Sequence, residues 1–203
     1  MAFRIDNFIS NINKYGTLQT NKFEVEIPIP TSLNINSRNT IENILKMRAE
    51  KVKIPGVVLD NIETRRYGIG PNYKTATNVR FEPISMSFIE TSKTDVYYAF
   101  HEWIRIGIFD YARPGGNRSP ERNALPSFLT EYKKDYISDI TIKVFNNEGK
   151  NGISNDIAPV LKLKLIEAFP ISIGDNDLSW GDNNTLYRIN VSFAYSYFTV
   201  VID

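Results

Sequence analysis

Few side chains in this sequence of 203 residues can do chemistry, and their spacing limits what each can do. His101 is the single histidine, and cysteine is absent. One imidazole supplies a general base or one metal ligand, but without a second histidine or a thiolate the common zinc sets are excluded. It lies between Phe100 and Trp103 in a stretch of helical spacing, where a packing or helix-surface role is the simpler account. No G-x-S-x-G occurs, so serine nucleophile chemistry has no local signature. Gly68, Ile69, Gly70 and Pro71 match only part of a phosphate-cradling motif: the third glycine is missing and no helix follows to offer its N-terminus. That cluster reads as a turn. Asp175, Asn176, Asp177, Leu178 and Ser179 alternate oxygen donors as a calcium loop does, yet Trp180 replaces the required glycine and Leu186 the bidentate glutamate. A polar turn is the better reading. No catalytic residue, cofactor or metal is assigned, and the chain is read as a non-enzyme.

Arg65, Arg66, Tyr67, Tyr73, Lys74 and Arg80 combine basic and aromatic side chains, which is one ingredient of a nucleic-acid groove. Glu63 and Glu82 interleave with them, and 24 basic against 23 acidic residues leave a net charge of only +1. No global field holds this chain to nucleic acid or to an anionic membrane. Mixed charge of this kind favours protein contacts, through cross-strand pairs and matched interfaces. A hydrophobic fraction of 42% and a charged fraction of 23% are ordinary globular values. The lack of cysteine removes disulfide scaffolds and is compatible with a reducing cytoplasm. Asp6 and several asparagines break the apolar run that a signal peptide needs, and no window reaches the length of a membrane span. A soluble chain without membrane insertion is expected.

Those residues must be held by a framework that the periodicity outlines. Ile5, Phe8, Ile9 and Ile12, stopped by Gly16, predict a short N-terminal helix. Phe23, Val25 and Ile27 alternate with Glu24 and Glu26 until Pro28 and Pro30, a first strand. Residues 41–45 read as a helical turn and 47–54 as a strand closed by Pro55 and Gly56. Residues 57–66 and 74–89 read as the arms of a long hairpin about the glycine cluster. Along the second arm the apolar parity switches at Pro83, from Val79 and Phe81 to Ile84, Met86 and Phe88, which predicts a kink there. Ser92 and Asp95 resemble a capping pair ahead of Val96, Phe100, Trp103, Ile104 and Gly107, so the main helix is predicted from Asp95 to about Ile106. Residues 111–125 and 146–156 read as loops. Ile140, Ile142 and Val144, then Leu161, Leu163 and Leu165, mark two further strands. Tyr187, Ile189, Val191, Phe193, Tyr195 and Tyr197 line one face of a long final strand. The predicted fold is mainly β, an antiparallel barrel or sandwich with one central helix (about 95–106) and a short N-terminal helix.

In their order along the chain, these pieces resemble the tail tube proteins of T-even-like contractile-tailed bacteriophages, a family related to type VI secretion tube proteins. The likeness is carried by Lys22-Phe23-Glu24-Val25-Glu26-Ile27, by Ile54-Pro55-Gly56 and the hairpin after it, and by the helix containing Trp103. It continues through Glu131-Tyr132-Lys133-Lys134 and the two lysine-alternating strands. Most specific is the ending: Phe169-Pro170, Gly174, Leu178-Ser179-Trp180, Asn183-Asn184 and the aromatic final strand. The resemblance implies a single tail-tube domain over residues 1–203, with loop insertions at about 110–130 and 146–158.

It further implies a structural virion subunit that closes into hexameric rings by sheet continuation, the rings stacking into the conduit for DNA ejection. Its implied partners are further copies of itself, the tail sheath protein, the baseplate and the tail-terminator protein, with DNA passing loosely through the lumen. Its implied place is the phage tail, after assembly in the host bacterial cytoplasm. By the same resemblance, Glu63, Arg65, Arg66, Tyr67, Tyr73, Lys74 and Arg80 belong to an arm that reaches a neighbouring subunit or ring. Ring closure would pair a strand edge that is otherwise an aggregation hazard. Two other readings stay open: a tube initiator or terminator ring of the same tail, and a sandwich-type carbohydrate-binding or adhesin module.

Overall fold

Alternation and helical spacing both reappear in the computed structural model, which describes residues 5–16, 18–33, 37–65, 68, 70–110, 129–145, 159–181 and 185–202. Helix α1 (Ile5–Tyr15) stops at Gly16, whose amide donates to the Ile12 carbonyl at 2.8 Å from a backbone with φ 67°. That left-handed exit is what glycine supplies at a helix end. Strand β1 (Phe23–Glu26) buries Val25, and Ile27 beyond it is buried too, with Glu24 and Glu26 on the other face.

The predicted turn at 41–45 is a full helix, α2 (Arg38–Arg48), and the strand expected from Met47 shrinks to β2 (Ala49–Val52). Met47 is helical and 80% exposed. Ile41 and Leu45, four residues apart, bury one stripe of α2. Glu42 accepts the Ile29 amide at 2.9 Å, and Lys46 pairs with Glu24 at 2.8 Å. These anchors to the chain around β1 extend a helix whose own sequence signals it weakly.

Strands β3 (Val58–Thr64) and β4 (Tyr73–Arg80) pair antiparallel with each other and stand apart from the main sheets. The predicted second arm does not run on to residue 89. It ends at Arg80, and β5 (Ile84–Ile89) pairs instead with β2 and with β10 (Arg188–Ala194). Pro83, which has no amide to donate, marks a break between two strands rather than a kink inside one. The parity switch is real: Ile84, Met86 and Phe88 are buried, whereas Val79 is exposed.

Helix α3 (Asp95–Glu102) continues into a π-helical turn (Trp103–Ile108). Its cap is not Ser92. The Glu90 carboxylate accepts the amides of Thr91, Val96 and Tyr97 at 2.8, 3.0 and 2.8 Å, and the Thr91 hydroxyl donates to Asp95 at 2.8 Å. Thr94 takes φ 58° so that the chain can turn back under Glu90. Trp103, wholly buried, donates its indole N–H to the Tyr136 carbonyl at 2.8 Å, tying the turn to α4 (Lys133–Tyr136). Strands β6 (Phe109–Asp110) and β7 (Leu129–Thr130) pair at the base of the predicted loop of residues 111–125. That loop and the one at 146–158 lie outside the described residues.

Strand β8 (Ser138–Val144) joins β1 to the 13-residue β9 (Leu161–Ile173), the longest strand described. The predicted long final strand is two strands, β10 and β11 (Tyr197–Ile202), because the chain turns at Tyr195 and Ser196. Before the turn Ile189, Val191, Phe193 and Tyr195 are buried as predicted; after it Tyr197 is exposed and Phe198 packs on the core. β9 bends correspondingly at Glu167, which adopts φ 56°. Its first half pairs with β8 and β11, and its second half with β10. Two antiparallel sheets thus share one strand: β1-β8-β9-β11 and β9-β10-β5-β2. Strands that pass from one sheet to the other at a bend are how such corners are made. The core lies between them, closed by α2 and α3, with the Phe100 ring tilted against Phe88 at 5.2 Å and edge-to-face with Phe193 at 5.7 Å.

Candidate assembly surface

The β3–β4 ribbon carries Glu63, Tyr73, Lys74 and Arg80, with Arg65 just past the end of β3, and every residue of β4 is exposed. Cross-strand register sets Glu63 opposite Lys74 and Thr64 opposite Tyr73. Lys74 pairs with Glu63 at 3.1 Å. Asn72 donates to Glu63 at 2.8 Å and accepts from the Arg65 guanidinium at 2.6 Å, so four side chains near the tip form one chain of contacts. At the base Arg80 pairs with Asp60 at 2.9 Å. Tyr73 is exposed, apart from these pairs. Arg66 and Tyr67 lie outside the described residues.

Among the described residues, the ribbon's charges therefore satisfy one another across its own strands. Exposed pairs of this sort contribute little each, but they fix the register of a ribbon that has no core beneath it. What the ribbon leaves unsatisfied is apolar: Leu59, Ile62 and Tyr73 are each more than half exposed, and Val57, Val58 and Val79 are exposed beside them. An isolated two-stranded ribbon is marginal in water. Asp60 and Asn72 were not singled out in the sequence. Their roles appear only once the register is known, since the bulge between Asp60 and Asn61 shifts the partner of every residue beyond it.

Elsewhere the candidate chemistry resolves into structure. His101 stacks on Tyr97 with ring centroids 5.7 Å apart and lies 3.9 Å from Glu102. Glu102 is buried and accepts from Nε and Nη2 of Arg105 at 2.6–2.9 Å. Asp175 to Ser179 lead into an exposed turn where the Gly181 amide donates to the Ser179 hydroxyl at 3.2 Å. No group of three His, Cys, Asp or Glu side chains among the described residues is placed to hold a metal ion. Leu178, with Tyr97 and Tyr187, lines a shallow cleft of about 560 Å³, and Trp180 nearby in the chain is fully exposed.

A family model described as phage tail tube protein matches residues 18–201. The chain belongs to that family. The tail tube match begins just after α1 and takes in both sheets, the ribbon and α3. No curated protein matches the chain. Among solved structures, a chain of the anti-feeding prophage baseplate is similar at TM-score 0.60 and 13% identity, over 92% of this chain and 97% of that one. A chain of the PVC extracellular contractile injection system, in its extended sheath–tube complex, is similar at TM-score 0.57 and 16% identity over the whole of both chains. A chain of the anti-feeding prophage tube-terminating cap is similar at 0.56 and 15%, over 92% of each. At such identities the likeness is one of fold. Those chains share this mainly antiparallel β architecture, and the family read from the order of short motifs is the one that the family model matches.

Proposed function

We propose that this chain is the tail tube subunit of a contractile phage tail, with six copies closing into a ring and rings stacking into the conduit for DNA ejection. The observation that carries the reading is a β3–β4 ribbon paired apart from both sheets, with exposed apolar side chains on each of its faces, on a chain that belongs to the tail tube family. The strand order adds support, because β2 ends one sheet and β11 the other, leaving edges for a neighbour to continue. A heterologous contact whose rotation closes gives a ring. The ribbon, including Glu63, Arg65, Tyr73, Lys74 and Arg80, then lies against an adjacent subunit or ring. Further partners are the sheath, the baseplate and the tail terminator, and the place of action is the virion after assembly in the host cytoplasm. The chain's role in this reading is structural, not enzymatic.

Electron microscopy of the purified chain tests the proposal. Rings or tubes with a central channel are the expected result. A chain that stays monomeric, even when offered a baseplate as template, overturns it. Copy number per virion separates a tube subunit, present in many rings, from an initiator or terminator present in one.

A further inference from the structure

Two apolar surfaces of the subunit are left exposed, and they lie toward opposite ends of β9. The first is a stripe on α1: Ile5, Ile9 and Ile12 follow at four- and three-residue spacing on one side of the helix, and all three are exposed. A helix of 11 residues is marginal in water without a face to pack on. The chain after it enters β1 at Phe23, which stands opposite Val144, itself opposite Leu161 at the start of β9. The second surface is the cleft of Tyr97, Leu178 and Tyr187, with Trp180 and Leu186 exposed close by in the chain. Glu90 also lines it, but its carboxylate is committed to the amides that start α3. This cleft sits at the other end, where the Tyr187 carbonyl accepts the Glu90 amide at 3.0 Å and the Gly174 amide, just past β9, donates to Asn190 at 2.7 Å. The 13 residues of β9 run between the two ends, about 40 Å of strand before its bend is counted.

We infer that α1 of one copy seats its isoleucine stripe in the cleft of Tyr97, Leu178 and Tyr187 on the next copy along the tube. The inference rests on the tube reading above, and it gives ring stacking a contact distinct from the β3–β4 ribbon. Two different surfaces at opposite ends of one subunit make a heterologous contact that repeats in one direction without closing, which is what a stack requires. In such a head-to-tail arrangement, the cleft that meets a subunit's α1 end is its neighbour's. Charge agrees with the pairing. Residues 1–22 carry Arg4, Lys14 and Lys22 against Asp6, a side-chain balance of +2. Residues 174–184, the segment that contains Leu178, carry Asp175, Asp177 and Asp182 and no basic residue, a balance of −3. Asp175 and Asp177 are exposed. Opposite charge around an apolar contact steers the right surfaces together and rejects like-charged ones.

The test uses the absence of native cysteine. Ile9→Cys and Leu178→Cys are made in separate chains, mixed in equal amounts, assembled and treated with a short bismaleimide, with Ile5→Cys as a second probe should Ile9→Cys not assemble. The expected product is a dimer joined through positions 9 and 178, identified by mass spectrometry. Its yield in tubes should exceed that from unassembled subunits at least about tenfold, because assembly makes the encounter local. Ile9→Asp gives an independent readout. Ile9 is exposed in the subunit, so the urea midpoint should hold, while tubes should need at least about tenfold more protein because a carboxylate would enter an apolar cleft unpaired. A mixture without the dimer, or Ile9→Asp tubes forming at the unaltered chain's concentration, overturns the inference and leaves the tube reading standing. So does a chain with both cysteines that links only within itself, since each α1 would then occupy its own cleft. Failure of the unaltered chain to form rings or tubes refutes the tube reading, and the stacking contact with it.

Discussion

A single methyl group is enough to probe how closely the π-helical turn approaches the segment after β1. A Cβ at Gly107 would fall 2.9 Å from Leu33 Cδ2 and 3.3 Å from Trp103 Cδ1, and both neighbours are buried. Gly107→Ala is therefore expected to lower stability by about 1–3 kcal/mol, the usual cost of overfilling a packed core, read as a fall in the urea midpoint. Gly56→Ala, where a Cβ meets nothing within 4 Å, is the matched control and should leave the midpoint within error. At this scale the sequence was half legible. Gly107 fell in the helical pattern, but its need to be glycine comes from Leu33, a neighbour that no local window contains. Glu90 was missed as the cap of α3 for a similar reason: it accepts the Val96 and Tyr97 amides from six and seven residues upstream, beyond any capping-box spacing.

Elements were more legible, because side-chain period survives wherever one face is buried. Val25, Ile142, Leu163 and Val191 all point inward as alternation predicts. The errors sit where the chain changes partners. Alternation does not tell one long strand from two strands meeting at a corner, so β10 and β11 were read as one, and β4 and β5 as one arm. The bends at Ser196 and Pro83 are consequences of pairing with β9 and β2, which are distant in sequence. For the candidate site, the ribbon's existence and most of its charged residues were readable; its bulge and its internal ion pairing were not. Since β3 and β4 pair with no other strand among the described residues, excising residues 60–78 and closing the gap with a short flexible turn should leave the urea midpoint nearly unchanged. The same variant is expected to form no tubes under the electron microscope. Loss of the cooperative unfolding transition instead would show that the ribbon supports the fold itself.

Across the whole molecule, carboxylates paired to lysine or arginine recur along both sheets. Lys143 holds the Glu26 carboxyl below its ordinary range, Lys164 does so for Asp139, and Arg188 for Glu50. Lys133, with Ser196, does the same for Glu167 at the corner of β9. A carboxyl lowered on folding adds stability that is present above the unfolded-state value and is lost as pH falls through the folded one. The urea midpoint is thus expected to be flat above about pH 5 and to decline below about pH 4, near the ordinary carboxylate range. Asp139→Asn should make that decline shallower. Because these groups are partly exposed, added salt should shrink the effect.

Strand β9 belongs to both sheets, and the Glu167 bend between its halves is held by Lys133, by Ser196 and by the Glu167 amide donating to Asp139. Any pull on one sheet is therefore carried to the other through peptide bonds rather than through packed side chains. Drawn along its length, β9 loads its ladder bonds to β8, β11 and β10 together instead of peeling them one at a time. The subunit has a continuous tensile member through its middle, and the two sheets cannot slide apart unless that strand is torn from its neighbours.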